Sequence, residues 1–173
     1  MLDSVMDDQA PDLAPRPVRE SQSEMNQLVL PNDANPLGSL LGGTLMHWID
    51  LAGALAAHRH CNAYVVTASM DHVDFLVEVK VGDLVVLRSS VNRAFNTSLE
   101  VGVKAWVENY LAGSRRHVAS AYLTFVAVDK QRHHLRVPPV IPETDEQKRR
   151  YEDAGRRREQ RKAEIQRKRA LSH

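Results

Sequence analysis

The sequence predicts an α+β fold in which an antiparallel sheet curls around one long helix. Two observations carry this prediction. Residues 41–61 place apolar side chains at helical spacing, and the chain from there to about residue 128 largely alternates between polar and apolar residues with a period of two. Because the connections between the alternating segments are short, neighbouring strands are expected to be mostly antiparallel.

The helix predicted over residues 41–61 is the segment around which the strands are expected to wrap. At about 1.5 Å per residue it measures about 30 Å, enough to cross a small domain. Gly42 and Gly43 stand where it begins and leave backbone N–H groups open to a ligand. Asp50 lies in a largely apolar part of the helix, where an unpaired carboxylate is costly. The predicted buried stripe is Leu41, Leu45, Trp48, Ile49, Ala52, Leu55 and Ala56.

The rest of the chain divides into three parts. Residues 1–24 are rich in Asp, Pro, Gln and Ser and are predicted to be a flexible acidic tail. Residues 25–142 form the predicted domain, and residues 143–173 a charged, helical C-terminal tail with no firm apolar face. Strands are predicted over 25–30, 64–69 with a continuation to 75, 84–91, 99–107 and 117–128.

Composition limits the class of protein. The chain has 173 residues, of which 43% are hydrophobic, and this suits one domain with a substantial core. A single cysteine, Cys61, excludes an internal disulfide framework and fits a reducing compartment. Without a long apolar run or a signal peptide pattern, the protein is expected to be soluble and cytoplasmic.

Two basic runs, at 156–158 and 167–169, raise the alternative of binding to RNA or to an anionic membrane. Acidic residues interleave with them, and the central part of the chain is nearly neutral. A solvated helix that packs on another subunit is therefore favoured, and neither a nucleic acid nor a membrane partner is predicted.

Several short motifs follow one another in a characteristic order. They are Leu-Pro-Asn-Asp-Ala-Asn-Pro-Leu-Gly at 30–38, Gly-Gly-Thr-Leu-Met-His-Trp-Ile-Asp at 42–50, Arg-His-Cys at 59–61 and Val-Val-Thr-Ala-Ser-Met-Asp at 65–71. Asp-Phe at 74–75, Lys-Val-Gly-Asp at 80–83, Thr-Ser at 97–98 and Val-Pro-Pro at 137–139 continue the series. In their order and spacing they resemble the acyl-CoA thioesterase family, whose fold is the hotdog fold, and the resemblance spans roughly residues 25–142.

The resemblance implies hydrolysis of fatty acyl-CoA to a free acid and CoA. It also implies a site between two protomers, in dimers that assemble further, often as trimers of dimers (a hexamer). By motif, the functional side chains are Asn35 in the loop before the glycines and Asp50 on the helix. No metal or redox cofactor is implied.

The chemistry of a thioester gives each of these residues a role. The backbone N–H of Gly43 is expected to polarise the thioester carbonyl, and Gly42 to allow close approach. Asp50 is expected to act as a general base on water or as a nucleophile, and Asn35 to orient the water or the thioester. The structural alternatives are a tight turn at the glycines, an ion pair between Asp50 and His47, and a turn role for Asn35.

CoA carries phosphates, so cations are expected at the mouth of the site. The first candidates are Arg93 with Asn96, Thr97 and Ser98 at a strand turn, followed by Arg115, Arg116 and Arg59; taken singly, each is more often a solvated surface residue. No metal site is predicted, because His58, His60 and Cys61 are too crowded along one helix.

Two other functions compete with hydrolysis. One is a non-catalytic module that binds or senses acyl-CoA, against which the presence of both Asn35 and Asp50 speaks. The other is a hotdog dehydratase, for which His47 is the only helix histidine near the required place.

Overall fold

A computed structural model describes residues 12–71 and 73–171. Two helices and seven strands form in these residues, and the predicted α+β hotdog architecture is confirmed. The strands are β1 (Arg16–Pro17), β2 (Ser23–Leu28), β3 (Tyr64–Met70), β4 (Leu84–Ala94), β5 (Ser98–Asn109), β6 (Ser114–Val128) and β7 (Val140–Ile141). The helices are α1 (Gly42–Cys61) and α2 (Asp145–Leu171).

Helix α1 begins directly after Leu41, whose backbone is extended, and ends at Cys61, with Asn62 as its C-terminal cap. Asn62 adopts the left-handed conformation, with φ 49° and ψ 38°, and its N–H closes the last turn on the carbonyl of His58. Leu41 and Leu55 are exceptions to the predicted stripe, since their side chains are exposed. The buried face of α1 therefore differs in part from the predicted stripe. It contains Leu45, Trp48, Ile49, Ala52, Gly53, Ala56, Ala57, His60 and Cys61.

Five strands form one antiparallel sheet in the order β2-β4-β5-β6-β3, so β2 and β3 are its edges. The side that contacts α1 is called the inner face here, and the opposite side the outer face. The alternation predicted for β5 is confirmed, because Val101, Val103, Ala105 and Val107 are buried. Glu100, on the outer face of the same strand, is also buried and has no exposed surface.

The N-terminal segment corrects the prediction of a flexible tail over residues 1–24. Residues 1–11 lie outside the described part of the chain, but β1 pairs in parallel with β7, and Val18 is buried. Ser21 is fully buried; its hydroxyl donates to the carbonyl of Val18 at 2.7 Å and accepts from the N–H of Val91 at 2.9 Å. The prediction was wrong for this segment because its polar composition gives no sign of order. Backbone pairing holds the segment, rather than large apolar side chains.

The C-terminal tail is helical as predicted, yet it packs on this chain's own sheet. Only Ala154 is buried in all of α2, so the contact depends on polar and charged side chains. Among the described residues, neither α1 nor α2 is long and apolar enough to cross a membrane.

Candidate active site

Asn35 lies in a tight loop that leads to the start of α1. Its side-chain Oδ1 accepts hydrogen bonds from the N–H of Leu37 at 3.0 Å and of Ser39 at 3.1 Å. Within the described part of the chain the side-chain Nδ2 donates to no partner. Asn35 is therefore a turn residue, as in the structural alternative, and it also retains a free amide donor for a ligand.

The N-terminus of α1 is open, as the two glycines predict. The first helical bond is the N–H of Leu45 to the carbonyl of Leu41, at 3.1 Å. The N–H groups of Gly42, Gly43 and Thr44 consequently find no acceptor among the described residues. A Cβ on Gly43 would meet nothing within 4 Å, whereas one on Gly42 would approach the ring of Phe75 at 3.4 Å.

The carboxylate of Asp50 is half-buried and is held by the neighbouring edge strand. The hydroxyl of Thr67 on β3 donates to Oδ1 of Asp50 at 2.7 Å. Across the described residues Asp50 forms no ion pair, so the expected alternative of pairing with His47 is wrong. A carboxylate with one hydroxyl partner keeps acceptor capacity for water.

Sequence reasoning did not single out Thr67 as a site residue. It lies within the Val-Val-Thr-Ala-Ser-Met-Asp motif, and a hydroxyl in a β-branched strand was the available signal. Its partner is 17 positions away on another element, so the contact follows only from the fold.

The open N–H groups and Asp50 are too far apart to share one carbonyl within a single chain. Gly43 and Asp50 are seven residues apart on α1, which corresponds to about 10 Å along the helix axis. One thioester carbonyl cannot contact both of these groups in the same chain.

Two cavities differ in their relation to these groups. One of about 280 Å³ adjoins Gly42, with Leu45, Phe75, Leu76 and Val118 in its wall. The other, of about 440 Å³, lies on the outer face of the sheet, and most of the residues that line it are polar. The sheet separates it from α1, so only the smaller cavity belongs with the candidate site.

The predicted CoA-binding arginine Arg93 is already engaged by α2. Its guanidinium lies over the rings of Tyr151 at 4.2 Å and Phe95 at 5.6 Å, and Nη1 donates to the carbonyl of Tyr151 at 3.3 Å. Ser98 is buried and accepts from Nη1 of Arg158 at 3.0 Å. Both side chains hold α2 on the sheet in this chain.

The remaining candidate CoA contacts are at least partly exposed. Asn96 is exposed and Thr97 half-buried, in the turn between β4 and β5. Arg59 is exposed and donates to the carbonyl of Gln22. Arg115 pairs with Glu108 at 2.9 Å, and Arg116 is exposed next to it.

These candidates do not form one cluster within a chain. The Asn96–Ser98 turn lies at one end of β5, and Arg115 and Arg116 lie beside its other end. Eleven strand steps separate the two ends, which is about 36 Å. The structure thus divides the predicted phosphate contacts into two groups.

The histidines and the cysteine near the end of α1 have structural partners. His58 contacts the carbonyl of Ala63 at 2.8 Å, and the buried ring of His60 contacts the carbonyl of Pro138 at 2.8 Å. Burial raises the pKa of the Cys61 thiol to about 12, with a smaller opposing effect of Arg16. In the residues that the structure describes, no three His, Cys, Asp or Glu side chains are grouped so as to hold a metal ion.

Comparison with known proteins connects this geometry to a family. The thioesterase superfamily matches residues 37–112. The acyl-CoA thioester hydrolase YkhA of Bacillus subtilis is 39% identical over 155 residues, which cover 90% of each chain.

Solved structures agree with the sequence relatives. An acyl-CoA hydrolase from Staphylococcus aureus, solved with butyryl coenzyme A, coenzyme A and coenzyme A disulfide, is 39% identical with a TM-score of 0.83, covering 91% of this chain and 98% of that one. A hexameric acyl-CoA thioesterase solved without ligand is 42% identical with a TM-score of 0.84. The match covers 87% of this chain and 97% of that one. The fold, the sequence motifs and the relatives all indicate the same family. The chain belongs to the acyl-CoA thioester hydrolases of the thioesterase superfamily.

Proposed function

We propose that this enzyme hydrolyses acyl-CoA thioesters to a carboxylic acid and CoA at sites formed between two copies of the chain. One copy supplies the N–H groups at the start of α1, and the other supplies Asp50. The observation that carries the proposal is the hydrogen bond from Thr67 to Asp50, which fixes a carboxylate without neutralising it.

The Staphylococcus aureus hydrolase supports this assignment. Its solved alanine variants replace an asparagine, an aspartate and a threonine, with 15 positions between the first two and 17 between the last two. Asn35, Asp50 and Thr67 have the same residue types and the same two spacings. The asparagine variant of that protein was solved with coenzyme A. We infer that the three residues of this chain act together at one site.

Each group has a distinct task in the reaction. In the general-base route, water attacks the thioester carbonyl carbon, the carbonyl oxygen gains negative charge, and the N–H groups of Gly43 and its neighbours stabilise that charge. The carbon–sulfur bond then breaks, and the CoA thiolate leaves with the proton that was removed from water. The free Nδ2 of Asn35 is placed to orient the water or the thioester.

Asp50 serves this reaction by one of two routes. As a general base it takes the proton from water. As a nucleophile it attacks the carbonyl itself and forms an anhydride that water hydrolyses. Transfer of ¹⁸O from labelled water into the Asp50 carboxylate during a single turnover identifies the nucleophilic route.

We propose that the cavity beside Gly42 receives the part of the substrate next to the thioester. Its wall includes the exposed side chains of Phe75 and Leu76. An apolar wall beside free N–H groups suits an acyl chain that ends in a polar carbonyl. For the phosphates of CoA we retain Arg59, Arg115, Arg116, Asn96 and Thr97 as contacts, and Gly42 as the point of close approach.

Substitution of Asp50 tests the proposal. We expect Asp50→Asn to lower kcat for thiol release about 10²- to 10⁴-fold, since the general base is lost while its shape is kept. Release of CoA thiol from a panel of acyl-CoAs of different chain length measures this. Asp145→Asn, at an exposed aspartate on α2, is the matched control and should retain wild-type turnover.

Two outcomes would contradict the proposal. Turnover by Asp50→Asn within threefold of the wild type would remove Asp50 from the mechanism. Tight acyl-CoA binding by the wild type with no thiol release would instead favour the non-catalytic binding module.

We further propose that the active form is at least a dimer, assembled as a trimer of dimers, because a hexameric relative shares this fold. The reaction as proposed uses only the chain's own residues, without a metal or redox cofactor. The cytoplasmic location stays a prediction.

A further inference from the structure

Helix α2 is tied to the end of strand β3 by one arginine. Nη1 of Arg161 donates to Oδ2 of Asp71 at 2.7 Å, and Nη2 lies 3.6 Å from the buried carboxylate of Glu100. The side chains of Arg161 and Asp71 are 23% and 22% exposed, so water screens this pair only in part. The pair joins residues that are 90 positions apart.

A bulge in β3 connects this pair to the candidate site. Side chains of a regular strand alternate, so Thr67 and Asp71 would share one face. The register against β6 shifts between Thr67 and Ser69. Thr67 consequently faces α1, where it contacts Asp50, while Asp71 faces α2, where it contacts Arg161.

The end of β3 lies at the edge of the sheet. Among the described residues, β3 pairs with β6 and with no other strand. The N–H of Asp71 donates to the carbonyl of Tyr122 at 2.9 Å, and residues 73–79 form neither helix nor strand. Arg161 therefore adds a side-chain contact at the point where the strand leaves the sheet, four residues after Thr67.

We propose that Arg161 is a positioning residue for hydrolysis. It fixes Asp71 and the bulge of β3, and thereby the direction in which the Thr67 hydroxyl holds the Asp50 carboxylate. The inference rests on the proposed function of Asp50. It assigns to the C-terminal helix a role in the geometry of a site on the opposite face of the sheet.

The test compares five variants by kcat and KM at a temperature well below their unfolding midpoints. Arg161→Met keeps an unbranched apolar stem and removes the charged guanidinium group, and Arg161→Lys restores a cation that can reach Asp71. Lys162→Met is the matched control, because Lys162 is exposed and its ion pair among the described residues is with Glu159, also on α2. Thr67→Val removes the hydroxyl at the other end of the connection, and the double variant Arg161→Met/Thr67→Val removes both ends.

We expect Arg161→Met to lower kcat about tenfold with KM within about twofold, since a misplaced reacting group affects the chemical step. Arg161→Lys should recover most of the loss, and Lys162→Met should match the wild type. In the Thr67→Val background, Arg161→Met should have almost no further effect on kcat, because both substitutions interrupt one connection.

The inference is overturned if Arg161→Met keeps the kcat of Lys162→Met, if it raises KM alone, or if its full effect persists without the Thr67 hydroxyl. An inactive Asp50→Asn beside a fully active Arg161→Met would refute this inference and leave the proposed function intact. A fully active Asp50→Asn would refute the proposed function.

Discussion

Asp50 and His60 lie ten residues apart on α1, and their surroundings differ sharply. Asp50 is half-buried and keeps acceptor capacity for a ligand, whereas His60 has no exposed surface. Burial lowers the pKa of His60; the carbonyl of Pro138 opposes this effect, and the charge of Arg16 adds to it. Nδ1 of His60 has no hydrogen-bond partner within the described chain. The histidine is thus held neutral at physiological pH.

This burial predicts how stability depends on pH. Because the pKa of His60 is lower in the folded state than in the unfolded chain, the unfolded state binds more protons as the pH falls below about 6.5. The stability associated with neutral His60 is complete above that pH and declines as the pH falls toward the folded pKa. We expect the unfolding midpoint of the wild type to decrease between about pH 7 and pH 5 more steeply than that of His60→Gln.

Thermal unfolding of both proteins across this range, at one protein concentration, measures the difference. Glutamine keeps a donor for the carbonyl of Pro138 but does not titrate. Parallel pH profiles for the two proteins would show that His60 does not contribute.

At the scale of elements, α2 shows how a helix without an apolar stripe can pack on a sheet. Glu100 is fully buried on the outer face, and Arg157 donates to it twice, at 2.7 and 3.1 Å. The Arg157 guanidinium also lies 3.6 Å from the centre of the Tyr122 ring. Burial alone lowers the pKa of Arg157, but its hydrogen bond to Glu100 and the charge of that residue raise the pKa above its ordinary value. Opposite charges and a ring here replace apolar burial.

Removal of one partner from this buried pair should be costly. We expect Arg157→Met to lower the free energy of unfolding by about 3 kcal/mol, because Glu100 stays buried with weaker compensation from Arg161 and Asn92. Addition of Glu100→Gln should recover part of the loss, since the uncompensated charge disappears. Urea unfolding at fixed protein concentration measures both values.

Arg156→Met is the control for this series, because Arg156 is exposed and pairs only with Asp153 within α2. It should change stability by less than about 1 kcal/mol. An equal loss in the Arg156 and Arg157 variants would contradict the role given to Glu100.

At the scale of the whole molecule, the free edge of β3 is the surface at which we propose that a second copy joins. In the part of the chain that the structure describes, the strand is unpaired on one side, and Tyr64 and Val66 expose 43% and 44% of their surface. An exposed edge with large apolar side chains is a template for pairing with another strand. Asp50 and Thr67 lie at this edge, as a site shared between two copies requires.

A charge at this edge should separate the copies and abolish activity together. We expect Val66→Asp to shift the protein to a smaller species and to lower thiol release at least tenfold, because the N–H groups at the start of the partner's α1 are lost. Sedimentation velocity and the thiol-release assay measure the two effects. Leu111→Asp, at an exposed leucine in the turn between β5 and β6, is the control. A monomeric Val66→Asp variant with full turnover would contradict a site shared between two copies.

The sequence alone determined the helix with its open glycine start, the carboxylate on it, and the alternating strands. These features depend on neighbouring residues, and their spacing is visible without the fold. It failed to predict the structure of residues 16–24, the exposure of Leu41 and Leu55, and the engagement of Arg93, because each depends on a distant partner.

Only the tertiary structure decided which side chains meet. The pair of Arg157 and Glu100 joins residues 57 positions apart, and the pair of Arg161 and Asp71 joins residues 90 positions apart. The bulge that turns Thr67 toward Asp50 likewise exists only in the register between β3 and β6. Local sequence sets the period of each element, but the partner of a charge is fixed only when the elements pack against one another.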